Sequence, residues 1–79
     1  MISEAATWDR ERAAEMARTA YRYVARTYPA DAPLEPLGRA DLAVLEAQER
    51  GDWSGYVAAL RELMKVAKRE ALRRERVGA

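Results

Sequence analysis

The chain has no cysteine and no histidine. Without cysteine it can form no disulfide, no thiolate metal site and no cysteine nucleophile. Without histidine it lacks the side chain that most often serves as a general base near neutral pH and as a metal ligand. Most catalytic templates fail on these two absences, so the sequence is expected to be no enzyme and to hold no cofactor or metal. The only serines, Ser3 and Ser54, lie at expected helix starts, where capping accounts for them. Glu46 and Glu49 could be drawn as paired carboxylates, but acids three apart on a helix are ordinary solvated residues. Asparagine is also missing and arginine far outnumbers lysine, a bias that suits a GC-rich genome or a hot habitat. No apolar run approaches the length of a membrane span. The start, Met1, Ile2, Ser3 and Glu4, lacks the basic and apolar stretches of a signal peptide, so a cytoplasmic protein without membrane contact is expected.

What is present is helical. Hydrophobic residues make up 49% of the 79 positions, with alanine the most frequent of them, and charged residues 34%, which excludes a disordered chain of low hydrophobicity. Trp53, Val57, Leu60, Met64, Ala67 and Ala71 recur at alternating steps of four and three, the signature of one long amphipathic helix at about 52–76. Ala13, Met16, Ala17, Ala20, Tyr21, Val24 and Tyr28 share one face of another helix at about 7–28, capped by Ser3 or Thr7. Trp8 projects off that stripe and is expected to fold back over the core.

Pro29, Pro33 and Pro36 mark a stiff, docked connector at about 29–39, with Leu34 and Leu37 plugging the end of the core. A short middle helix at about 40–50 follows, with Leu42 and Leu45 inward and Glu46 and Glu49 outward. Gly51 ends it in the left-handed conformation and Asp52 caps the next helix, which forces a sharp corner. That corner invites comparison with a helix-turn-helix. The start of its second helix, Trp53, Ser54, Gly55 and Tyr56, has no basic or amide side chain to read a base edge. The expected fold is therefore all-α, a single domain over residues 1–79 built as a small three-helix bundle with two long helices and a short middle one.

Charge is distributed in blocks. Arg18, Arg22 and Arg26 stand without an acid between 18 and 28, and Lys65, Lys68, Arg69, Arg73, Arg74 and Arg76 crowd the end of the last helix against Glu70 and Glu75. Acids concentrate at the start of the first helix and in the middle one. Cations near helix C-termini complement the macrodipole and explain most of this pattern. Arg18, Arg22 and Arg26 resist that explanation, because like charges four apart repel by a few tenths of a kcal/mol per pair. If the first and last helices run parallel, their basic ends meet in one positive pole; if antiparallel, each basic end faces an acidic one.

Two functions fit. The first is a small non-catalytic helical module that binds another protein or a copy of itself. At about 1.5 Å per residue the middle helix, about 15 Å long, cannot cover a seam between helices of about 33 and 36 Å. Val24, Leu60, Met64 and Ala67 would then remain as a partner surface. The alternative is a nucleic-acid-binding accessory protein that contacts phosphates through Arg18, Arg22, Arg26, Lys65, Lys68, Arg69, Arg73 and Arg74, with Tyr23 free to stack on a base.

Overall fold

The computed structural model describes residues 8–78, and side chains for residues 8–75. Three α-helices and no strand occur among the described residues: α1 (Arg10–Thr27), α2 (Glu35–Arg50) and α3 (Trp53–Gly78). Asp9 starts α1, its carboxylate accepting the Arg12 amide N–H at 2.8 Å, which satisfies one orphan donor of the first turn. Ser3 and Thr7, the caps expected from sequence, lie outside the described residues. The helix stops at Tyr28, which precedes Pro29 and takes an extended conformation, as the proline ring requires of the residue before it.

The middle helix is not short. It runs for 16 residues, about 24 Å, and begins five positions before the expected 40. Pro36 sits in its first turn, where the missing N–H has no intrahelical acceptor in any case, so this proline starts a helix instead of breaking one. At the other end the expected corner forms. Gly51 adopts φ 67°, and the Asp52 amide donates to the Ala47 carbonyl at 3.0 Å. Asp52 then accepts the Gly55 amide at 2.9 Å. A Cβ at Gly55 would meet that carboxylate at 2.3 Å, so glycine in this turn makes room for the cap.

The core is arranged around α3. Both α1 and α2 pack along it, while the backbones of α1 and α2 do not approach each other. Val44 and Ala47 join Tyr56, Val57 and Leu60, whereas Leu37 and Ala40 lie against Leu63 and Ala67, so α2 runs antiparallel to α3. Ala13 and Ala20 belong with Tyr56, Val57 and Leu60, Val24 packs with Leu63 and Ala67, and Asp31 beyond α1 reaches Arg74. The first and last helices are therefore parallel, and the bundle goes up, down and up. Trp8 packs onto the cluster of Ala13, Val57 and Leu60, and the guanidinium of Arg12 lies 5.5 Å from its ring centre.

The connector is docked. Ala32 is buried, the Tyr28 hydroxyl donates to the Pro33 carbonyl, and Arg74 donates to the Asp31 carbonyl at 3.1 Å. Leu34 does not plug the core, being 72% exposed; Leu37 takes that place from within α2. Leu42 and Leu45, expected inward, are 55% and 48% exposed. The helix instead sets Leu37, Ala40, Val44 and Ala47, spaced three, four and three, against α3. Alanine and valine over most of that contact let the two helices lie close.

Candidate interaction surfaces

The partner surface expected at Val24, Leu60, Met64 and Ala67 does not exist as an open seam. Val24, Leu60 and Ala67 are buried and Met64 is half-buried between the two clusters. The physical reason is the length of α2 together with direct packing of α1 on α3: the seam is covered from within the chain. The apolar surface left over lies elsewhere, on α2.

Leu34, Gly38, Asp41 and Leu45 recur at steps of four, three and four and so form one stripe down α2, with Leu42 beside it. Gly38 and Asp41 border a cleft of about 190 Å³ between α1 and α2, whose other walls are Tyr21, Val24 and Leu37 and whose floor is Leu63 of α3. Leu34 and Leu45 therefore continue the line of this cleft beyond its two ends. Of the five large hydrophobic residues exposed among the described ones, Tyr21, Leu34, Leu42 and Leu45 belong to this side of the molecule, and Leu72 alone stands apart on α3. Nothing lies within 4 Å of the Cβ that a larger residue would carry at Gly38, so the cleft is open at that point.

The cleft is bridged at one place, where the Tyr21 hydroxyl donates to Asp41 Oδ1. The sequence pattern put Tyr21 in the core; it is 40% exposed because its ring stands at the cleft edge with the hydroxyl turned to that carboxylate. Desolvation of the hydroxyl raises the phenol above its ordinary pKa, and the hydrogen bond and negative charge of Asp41 raise it further. A raised folded-state pKa stabilises the fold fully below the unfolded phenol value of about 10, and that contribution is lost as the pH rises above it. The wild type is accordingly expected to lose more of its urea midpoint than Tyr21→Phe between about pH 9 and about pH 11. Equal losses would show that the hydroxyl bridge does not hold α1 to α2.

The basic residues fall into two groups. Arg18, Arg22 and Arg26 are exposed on α1, and Lys65, Lys68, Arg69 and Arg73 are exposed on α3. The parallel course of α1 and α3 places both sets toward the same end of the molecule, where two helix C-termini also lie and their negative dipole ends are offset by the cations. Among the described residues Arg18, Arg22, Arg26, Lys68 and Arg69 form no ion pair. Lys65 lies 3.9 Å from Glu62 and Arg73 3.5 Å from the buried Glu70, both one turn away on α3. Arg74, half-buried, is a latch and not a free cation: its Nε is 3.8 Å from Asp31 Oδ1 in addition to the carbonyl contact. Tyr23, read as free to stack, is half-buried against the cluster of Val24, Leu63 and Ala67.

Sequence reasoning missed the cleft because it depends on the gap between two helices whose backbones stay apart, and no residue pattern within either helix encodes that gap. The exposed leucines were missed as well, because Leu42 and Leu45 are expected inward and α2 turns Ala40, Val44 and Ala47 to α3 instead. Glu46 and Glu49 stand exposed on α2, and no three of the described His, Cys, Asp or Glu residues come together as a metal site. None of the described helices is long and apolar enough to cross a membrane. Comparison with family models, curated proteins and solved structures finds no match to this chain.

Proposed function

We propose that the chain is a small non-catalytic helical interaction module that acts by presenting the outer side of α2 to another protein. The observation that carries this reading is the pair Leu42 and Leu45, three apart and about half exposed, beside an apolar cleft. Isolated exposed leucines are ordinary on protein surfaces, but exposed leucines in line with a cleft form a contiguous apolar patch, which favours an interaction site. A photoreactive amino acid at position 42, introduced in cells that make the protein, is expected to yield a covalent protein adduct. The same group at Glu62, exposed on α3, is expected to yield none. Equal labelling from both positions, or none from position 42, overturns the reading.

One observation favours a second reading, a nucleic-acid-binding accessory role: the parallel helices carry Arg18, Arg22, Arg26, Lys68 and Arg69 toward one end without ion-pair partners. Phosphate contacts of that kind make affinity fall steeply with salt. Replacing Arg18, Arg22 and Arg26 together by glutamine would then flatten the log–log salt slope by about two to three units. The expected result is no retention on single- or double-stranded nucleic acid at physiological salt. The triple variant should then differ from wild type by only tenths of a kcal/mol in stability, through relieved i,i+4 repulsion. Tight binding lost in the triple variant would put the nucleic-acid role first.

A further inference from the structure

We infer that the occupant of the α2 surface is an amphipathic helix of another protein, lying in the groove between α1 and α2. Its apolar stripe carries a large side chain into the cleft, its acidic flank meets Arg18 and Arg22, and its basic flank meets Asp41 and Glu35. This rests on the reading of α2 as a docking surface and adds to it what docks and how.

The three helices hold three corners of a four-helix arrangement. Both α1 and α2 pack on α3, yet no Cα of α1 lies within 8 Å of one of α2, so the two stand farther apart than packed neighbours. The Tyr21 side chain spans that gap to Asp41. Counting about 100° per residue outward from Tyr21, Ala14 and Ala25 come next on α1; outward from Asp41, Leu34, Leu45 and Gly38 come next on α2. All five are exposed and edge the groove. Glycine weakens a helix interior, and at Gly38 no side chain and no other element lies within 4 Å of a Cβ, so packing within the chain gives no reason for it. Facing a second helix, it lets the two backbones approach closely. The cleft of about 190 Å³ admits one leucine or phenylalanine side chain, since an apolar cavity of about 150 Å³ already holds a benzene ring.

Charge identifies the flanks. Farther outward on α1 come Arg18 and Arg22, about 60° and about 100° from Tyr21, and no acid occurs between 16 and 28. Farther outward on α2 come Glu49 and Glu35, about 80° and about 120° from Asp41, while Arg39 and Arg50 lie about 160° or more around, on the edge away from α1. Arg18 and Arg22 stand within about one turn of the level of the Tyr21–Asp41 bridge, and Glu35 within about two. Beside the cleft the groove therefore has one basic wall and one acidic wall. A helix with acids along one side of its apolar stripe and lysines or arginines along the other matches both walls at once, and its charges select one of the two directions along the groove.

Fluorescence anisotropy with synthetic helical peptides of about 16 residues, the length of α2, tests this. All carry the same leucine stripe. One has glutamates on one flank and lysines on the other, one has lysines on both, and one has glutamates on both. The mixed peptide is expected to bind the wild type about three- to tenfold more tightly than either uniform peptide. Arg18→Glu with Arg22→Glu makes both walls acidic, and the all-lysine peptide then becomes the tightest. Gly38→Leu is expected to melt at or above the wild-type temperature, because leucine is the better helix former and nothing opposes its Cβ, yet to weaken the mixed peptide by about tenfold or more. A mixed peptide that does not bind, three peptides that bind equally, or a Gly38→Leu protein that binds as wild type overturns the inference. A wild type that sediments as a dimer lost in Gly38→Leu also overturns it, by placing a second copy in the groove. The photocrosslink at position 42 separates these failures from failure of the underlying reading. An adduct there without peptide binding keeps the docking surface and removes only the helix.

Discussion

Leu60→Asp is expected to leave the chain without a cooperative fold, while Arg69→Asp shifts stability by no more than about 0.5 kcal/mol. Leu60 is fully buried where all three helices meet, in one cluster with Ala13 and Ala20 of α1, Val44 and Ala47 of α2, and Tyr56 and Val57 of α3. Losing the leucine forfeits about 1.5–3 kcal/mol of apolar burial, and an uncompensated carboxylate at that point costs several kcal/mol more. A chain of this length has a total stability of roughly 4–12 kcal/mol at 0.05–0.15 kcal/mol per residue, so the change consumes most or all of it. Arg69 is exposed on the same helix and has no ion pair among the described residues, which makes it the appropriate control. Arg61, about 100° around the helix from Leu60, serves less well, because its guanidinium lies 6.0 Å from the ring centre of Trp8. Far-ultraviolet circular dichroism during thermal melting checks both variants. A Leu60→Asp protein with a sharp transition near that of wild type would mean that α3 turns a different face inward.

The long helices and the corner between α2 and α3 were legible because each is announced by residues with one dominant physical meaning. Trp53, Val57, Leu60, Met64 and Ala67 admit a single face, and Gly51 followed by Asp52 can end one helix and cap the next with no competing arrangement nearby. The start of α2 was not legible for the opposite reason. Proline breaks a helix in its interior but suits its first turn, and which applies to Pro36 depends on whether residues before it are already helical. The face of α2 failed through a second ambiguity. Ranking by hydrophobicity selects Leu42 and Leu45 as core, yet a helix that must lie close along α3 does so through Ala40, Val44 and Ala47, and the larger side chains are left outside. The expected partner surface moved for a separate reason: α2 is longer than its expected span and α1 packs directly on α3, so Val24 and Ala67 are buried while the leucines of α2 are exposed.

Ala20→Leu is expected to cost about 1–3 kcal/mol, against almost nothing for Ala14→Leu. Ala20 has no exposed surface and belongs to the cluster around Val57 and Leu60, so its methyl group is already in contact with α3. Three further carbons can be admitted only by forcing strained rotamers on that cluster or by moving α1 outward. Ala14 is exposed on the same helix, where a leucine gains helix-forming surface without meeting α3. For a domain of this size each kcal/mol moves the melting temperature by about 4–8 °C, so the two variants separate clearly in a thermal melt. The comparison also reaches the interaction surface. Tyr21 and Val24, which wall the cleft, lie one and four residues beyond Ala20 on α1, so an outward shift of that helix widens the cleft and draws the Tyr21 hydroxyl away from Asp41. Ala20→Leu should therefore weaken association through α2 at concentrations where the variant is still folded, although Ala20 itself is fully buried. A variant as stable as wild type would show that α1 stands off from α3 with room to spare, and the cleft would then owe its width to something other than the alanine face of α1.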